Sequence, residues 1–365
     1  MGRCLIFFFF LGSLFTLHAQ ERDAGYFLDA HYFYGTVLRH NKDISHLVRK
    51  HPEGFILGFN QYANGSKRWH REYNMPDWGV SAVYQNFKTE ALGENMGVYA
   101  HFNFYFLERH ALLRIGQGIA YNTNPFDLET NFKNNAFGSH FLSSTYLLLH
   151  FNKPAIWRQL GLQAGLGVVH YSNANVKAPN TSANTLTAQI GISYEMASRT
   201  LVPARIDSIE SRFSEPIALH LVVRAGINES DYVNLGQHPF VVVGGYLDKR
   251  LSYKSSVQAG AEVFFSEFIE KEIDYLVASR LDASLTGGED YRRVGVFLGH
   301  ELHFNRLALL TQAGYYVYYP YDFEGRFYQR IGLQYHVTRA WFLGATLKTH
   351  GAKAEAVEFG IGYRL

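Results

Sequence analysis

The sequence predicts an all-β protein, an antiparallel transmembrane barrel of the outer-membrane type with about sixteen strands in two eight-strand halves. Three observations lead there. Aromatic residues reach 16%, with 25 Tyr, 29 Phe and 33 Gly, yet mean hydropathy is only -0.14. That combination suits strands with one face in lipid and the other in a small or polar interior. Apolar and polar or small residues alternate with period two along many short segments, which a helix would not produce. Short and long connections alternate between those segments, as periplasmic turns and external loops do in such barrels.

The elements follow in chain order. Met1 to Gln20 reads as a secretory signal peptide with cleavage after residue 19: Arg3 is the positive start, Leu5 to Leu17 the apolar stretch, and Leu17-His18-Ala19 a suitable cleavage site. The apolar run is too short for a spanning helix. The single cysteine, Cys4, lies inside this segment, so the mature chain has no disulfide framework or cysteine-based metal site. Residues 20–197 then form the first expected barrel half, with strands Tyr26–Leu38, Gly54–Tyr62, Trp78–Phe87, Asn95–Leu107, His110–Asn122, Phe137–Phe151, Arg158–Ser172 and Asn184–Met196. A polar connection, 198–214, follows.

The second half, 215–365, carries Glu215–Ile227, Gly236–Leu247, Leu251–Phe265, Tyr291–Phe304, Leu307–Tyr319, Phe327–Val337, Ala340–Thr349 and Ala354–Leu365. In the last of these Val357, Phe359, Ile361, Tyr363 and Leu365 alternate with Glu358, Gly360, Gly362 and Arg364. A soluble sandwich could alternate as well, but it would bury its apolar face and seldom needs aromatics clustered at strand ends, as in Tyr315-Tyr316 and Tyr318-Tyr319. The connections 122–137, 172–184 and 265–291 are expected outside, and the turns 107–110, 247–251, 304–307 and 337–340 inside. Inward-facing Gly161, Gly165 and Gly167 suggest a narrow, packed interior and lean towards two separate barrels, although the periodicity fits one merged barrel too.

The halves also echo one another. Tyr121 to Asp127 resembles Tyr318 to Asp322, and His170 with Ile190 to Tyr194 resembles His350 with Phe359 to Tyr363. The second half reads as a degenerate duplicate, in which Gly351 and Ala352 stand where Tyr171 and Ser172 stand in the first.

Chemistry concentrates at His170-Tyr171-Ser172-Asn173. His170 and Ser172 continue the apolar face of Leu160, Leu162, Ala164, Leu166 and Val168, so a base and a hydroxyl share one side at the rim of a lipid-facing surface. The other histidines are scattered, and no metal-ligand cluster shows a diagnostic spacing, so neither a metal nor a diffusible cofactor is expected. A formal net charge of +2 carries no nucleic-acid footprint.

His170-Tyr171-Ser172-Asn173-Ala174, followed by Lys177-Ala178-Pro179-Asn180 and preceded by the run Gly116 to Asp127, resembles the outer-membrane lipid A 3-O-deacylase (PagL) family, also called acyloxyacyl hydrolases. The resemblance covers about Tyr26 to Met196. It implies a barrel in the outer membrane of a Gram-negative bacterium that removes an ester-linked acyl chain from lipid A, the anchor of lipopolysaccharide in the outer leaflet. By the same resemblance Ser172 is the nucleophile and His170 its base, while Asn180, with Asn173 and nearby backbone amides, supplies oxyanion donors. The family's third member, a Glu, is replaced here by Asn184. An amide oxygen can hold the tautomer of His170 but not its charge. The site is therefore expected to be competent but slower, or to be assisted by a loop carboxylate such as Asp127 or Glu129. The alternative is a non-catalytic barrel serving as a porin, receptor or structural protein.

Overall fold

The structure is a computed structural model and describes residues 25–39, 42–202, 215–351 and 353–365. The signal-peptide reading, with Cys4, and residues 203–214 of the polar connection lie outside the described residues. The first eight strands are β1 (Tyr26–Val37), β2 (Glu53–Gln61), β3 (Asp77–Asn86), β4 (Glu94–Phe106), β5 (Ala111–Asn122), β6 (Phe141–Trp157), β7 (Leu160–Ser172) and β8 (Ala183–Ala197). The second eight are β9 (Ala218–Asn228), β10 (His238–Arg250), β11 (Ser255–Ser266), β12 (Arg293–Phe304), β13 (Leu307–Tyr318), β14 (Phe327–His336), β15 (Trp341–His350) and β16 (Lys353–Arg364). Each set closes on itself, β1 pairing with β8 and β9 with β16, all antiparallel. Two barrels therefore stand where the sequence left one merged barrel open.

Closure follows from the residues. Eight tilted strands leave a lumen just wide enough for side chains to fill. In the first barrel Arg114, fully buried, donates to both oxygens of Asp29 (2.9 and 2.5 Å) and to Asn103 Oδ1 (2.7 Å). In the second, Arg330 donates to Glu358 (2.5 Å) and Glu262 (2.8 Å), and Arg293 donates to Glu355 (2.6 Å). Buried charges are tolerated only when paired in this way, and removing one partner of such a pair costs about 3–5 kcal/mol. The outer faces are apolar: Leu57, Val98, Leu149, Leu166, Leu298 and Phe359 are all exposed. A polar, filled inside and an apolar outside is the transmembrane barrel pattern.

Several segments differ from the sequence reading: β9 starts at Ala218 and β11 at Ser255, a few residues later than expected, and β6 runs on to Trp157. The sixth strand begins at Phe141, not Phe137. Phe137 instead sits in the preceding loop, buried against Phe87 and Tyr171. The expected external loop 265–291 contains a helix, α2 (Glu267–Ala278), after the short α1 (Arg68–Glu72) earlier in the chain. Its Phe268, Ile269, Ile273 and Leu276 recur at helical spacing on one buried side, and Phe268 and Ile273 pack with Phe323. Charged residues between them concealed that period in the sequence.

The barrels touch at both ends. At the end with the tight turns, Tyr73 just after α1 stacks on Phe304 (ring centroids 4.3 Å apart) and donates to the His303 carbonyl at 2.8 Å. At the opposite end, with the long loops, the β7–β8 loop meets the β9–β10 loop.

Candidate active site

On β7 the exposed positions Leu162, Ala164 and Leu166 alternate with buried Gln163, Gly167, Val169 and Tyr171. His170 and Ser172 thus lie on the outward, lipid-facing side, as the sequence suggests, while Tyr171 points into the core. Asn184 on β8 is the direct cross-strand neighbour of His170 and shares that side with Leu186 and Ala188. Cross-strand neighbours bring side chains within contact distance. Here His170 Nδ1 lies 2.7 Å from Asn184 Oδ1. An amide oxygen can only accept, so Nδ1 carries the proton and Nε2 the lone pair, which is the tautomer a general base requires.

Ser172 is 5% exposed because the β7–β8 loop folds over it. Its hydroxyl donates to Asn180 Oδ1 at 3.0 Å, and the same oxygen accepts the Asn173 backbone N–H at 3.0 Å. The Ala174 N–H points at Ser172 Oγ from 2.9 Å. Asn173 turns its amide nitrogen to the Lys177 carbonyl at 2.5 Å and accepts the Asn175 N–H at 3.1 Å. Ala174 and Asn175 have φ of 53° and 62°, so the chain reverses sharply right after the serine and crowds backbone N–H groups round it. All five residues singled out from sequence, His170, Ser172, Asn173, Asn180 and Asn184, therefore gather at one rim. In this arrangement Asn180 presents its oxygen to the serine. Acting as an oxyanion donor requires its amide to turn.

Two walls hold this loop. The β5–β6 loop supplies one: Asn135 and Ala136 carbonyls accept the N–H groups of Thr181 (3.1 Å) and Ser182 (3.2 Å). Gly138 lets that loop press in, since a Cβ there would lie 2.4 Å from the Lys177 carbonyl oxygen. The second barrel supplies the other wall, and sequence reasoning missed it. Glu229, 4% exposed, accepts the Ala178 N–H on Oε2 (2.9 Å) and the Gly236 N–H on Oε1 (3.0 Å). Its backbone N–H donates to the Asn175 carbonyl (2.9 Å), its carbonyl accepts Asn175 Nδ2 (2.9 Å), and Gln237 Nε2 donates to the Val176 carbonyl (2.8 Å). No local motif marks Glu229, because its role depends on how two barrels pack.

The loop carboxylates expected to assist have their own place. Asp127 accepts the Thr130 N–H (2.8 Å), the Thr130 hydroxyl (2.9 Å) and the Glu129 N–H (3.0 Å), which hold its carboxyl below the usual carboxylate range. It is engaged in closing its own turn. His350, the echo of His170, points inward and bonds to Glu355 (2.7 Å) and the Phe327 carbonyl (3.0 Å). Although β15 is the seventh strand of its barrel, as β7 is of the first, the two histidines occupy opposite faces.

Asn184 allows a direct test of the orienting contact. Asn184→Ala should lower kcat by roughly 10- to 100-fold, since the His170 tautomer is no longer held. Asn184→Glu should raise kcat above the natural protein by adding charge opposite the imidazolium. Steady-state kinetics on both variants decides this, and an unchanged kcat in Asn184→Ala would remove Asn184 from the site.

Taken together, fold and site describe a transmembrane β-barrel protein with a His/Ser/Asn cluster at the lipid-facing rim of its first barrel. The family model for lipid A 3-O-deacylase (PagL) matches residues 53–193, and that for the acyloxyacyl hydrolase C-terminal domain matches 217–365. The chain belongs to the lipid A 3-O-deacylase (PagL) family, a family of hydrolases of the outer membrane. Among curated proteins none matches it. Solved structures similar to it include a mutant of Rh. blastica porin (9% identity, TM-score 0.18, covering 94% of this chain and 99% of that one). Another is the outer membrane protein Omp33 of Acinetobacter baumannii (8% identity, TM-score 0.19, with the same coverages).

Proposed function

We propose that this protein is a serine esterase in the outer membrane of a Gram-negative bacterium, removing an ester-linked acyl chain from lipid A in the outer leaflet. Residues 20–197 form the catalytic half, and 215–365 a degenerate duplicate that supports it. The observation that carries the reading is the orientation of His170 by Asn184 on the same lipid-facing rim as Ser172. An acyl chain lying along the apolar barrel wall would reach that rim without leaving the membrane.

The reaction follows from the groups present. Ser172 Oγ attacks the ester carbonyl while its proton passes to His170 Nε2. The imidazolium is held through Nδ1–H on Asn184 Oδ1. The oxyanion meets the Asn173 and Ala174 N–H groups at the turn, and Asn180 once its amide has rotated. His170 then protonates the departing sugar hydroxyl. Water, deprotonated by the same imidazole, releases the fatty acid from the acyl-enzyme. Every step uses side chains, backbone and water.

A conducting role finds no support in the first lumen, which the Arg114–Asp29–Asn103 network crosses. The test is a mass spectrum of lipid A from cells that express the protein. A species lighter by one acyl chain, with matching free fatty acid from purified protein, is the expected result. Unaltered lipid A in both assays would overturn the proposal.

A further inference from the structure

At the tight-turn end of the second barrel lies a group of side chains that the proposed hydrolysis does not use. Glu301 and His303 alternate onto the inner face of β12, and His336 ends β14, two strands away. The strand between them, β13, places Ala308 opposite both His303 and Gln334. Its side chain is a single methyl, so the larger groups on either side can converge above it. Glu301 Oε2 lies 3.6 Å from His303 Nε2 and 3.5 Å from His336 Nε2, and the three ligand atoms all lie within 4.8 Å of one another. In a tetrahedral zinc site with metal–ligand bonds near 2.0–2.1 Å, neighbouring ligand atoms are separated by roughly 3.4 Å. Two of the three edges already have about that length.

The surroundings point to a missing partner. His336 Nε2 takes no hydrogen bond. Beside the triad, lining the same cavity of about 810 Å³, His220 is 5% exposed with neither ring nitrogen hydrogen-bonded, and Asp248 is 8% exposed with Oδ2 unpartnered. Buried polar groups in folded proteins are nearly always partnered, so three together call for a ligand. The carboxylate is already oriented, because Glu301 Oε1 accepts from Gln258 Nε2, as ligating carboxylates are held in metal sites. His303 Nε2 now also meets the Ser256 hydroxyl at 2.9 Å, a bond it would exchange for the metal.

We infer that Glu301, His303 and His336 bind a divalent first-row transition metal, zinc by preference, with the fourth position open to His220, Asp248 or water from the cavity. Two imidazoles and one carboxylate suit zinc; calcium and magnesium call for a larger set of oxygen ligands. The sequence shows no such cluster because its third member is 33 residues away and joins the others only across β13. The site has a structural consequence. It ties β12 to β14 beside the His303 carbonyl that receives Tyr73 of the first barrel, so the metal stiffens the strand end on which the two barrels dock.

The test uses the full-length, tag-free protein in detergent, stripped with chelator and titrated with zinc alone. Calorimetry should show about one equivalent bound, and cobalt in its place should give the visible absorption of a tetrahedral site. His336→Ala, with barrel closure verified by heat-dependent gel mobility, should weaken binding by at least about 100-fold, more than the loss of an outer partner causes. Fatty-acid release from lipid A should persist in that variant. Absence of stoichiometric binding by the natural protein overturns the inference. So does undiminished binding in His303→Ala/His336→Ala. The natural protein's titration decides the matter even if a variant fails to close.

Discussion

Ser172→Ala is expected to abolish fatty-acid release from lipid A, lowering kcat by roughly 10⁴- to 10⁶-fold, and His170→Ala should cost nearly as much. Both groups act in the same proton transfer, so the double variant should be scarcely worse than either single one. That non-additivity is the signature of a nucleophile–base unit and not of two independent lipid contacts, whose losses would add. The barrels should still form in these variants. Ser172 sits at the end of β7 under the loop, and its removal takes away one hydrogen bond to Asn180 and one acceptor for the Ala174 N–H. Neither touches the Arg114–Asp29 network or the apolar wall. Single-turnover release of fatty acid, measured beside heat-dependent gel mobility as a check on folding, separates the outcomes. Substantial turnover by Ser172→Ala would mean that another group performs the attack and would sink the assignment of the nucleophile.

The strands were legible because barrel physics writes itself into local order. Each crossing must alternate between lipid and lumen, so every strand repeats the same two-residue signal. One boundary failed where a loop residue behaves like a strand residue, while β6 runs on to Trp157 past the expected Phe151 and β11 starts at Ser255 and not Leu251. Phe137 is as buried as any barrel phenylalanine, but it caps the lumen from the β5–β6 loop. The face shared by His170, Ser172 and Asn184 was likewise legible, since parity along two adjacent strands decides it. The echo between the halves misled once. His350 aligns with His170 in sequence, yet it continues the inner positions Phe342, Thr346 and Lys348 of β15 and its side chain enters the lumen. Hidden from the sequence were features made by long-range packing: the Glu301–His303–His336 cluster across β13, and the contact between the two barrels over the β7–β8 loop.

That second contact leads to an expected result that no local motif could suggest. Glu229→Ala should lower kcat by roughly 10- to 100-fold while leaving KM nearly unchanged, because small misplacements of reacting groups carry costs of that size. The carboxylate holds Ala178, within the turn that runs from Ser172 to Asn180, and Gly236 of its own loop. Alanine leaves the Ala178 N–H buried without its acceptor, at a cost of about 1–3 kcal/mol, while the exposed Gly236 N–H can turn to water. The loop's remaining backbone contacts to residue 229 survive, so the expected change is a loosening and not a loss of the loop. Gln keeps one acceptor oxygen but turns an NH₂ towards the other N–H, and should fall between Ala and the natural protein. A purely structural role would change stability alone, so the deciding measurement is the rate at which a fluorophosphonate labels Ser172. That rate reports the geometry of the nucleophile independently of lipid binding. It should fall in parallel with kcat, whereas natural labelling and turnover in Glu229→Ala would show that the second barrel is only a neighbour. If both rates fall, the barrel that lacks a counterpart of Ser172 has a function after all: it forms part of the wall that holds Ser172 in place.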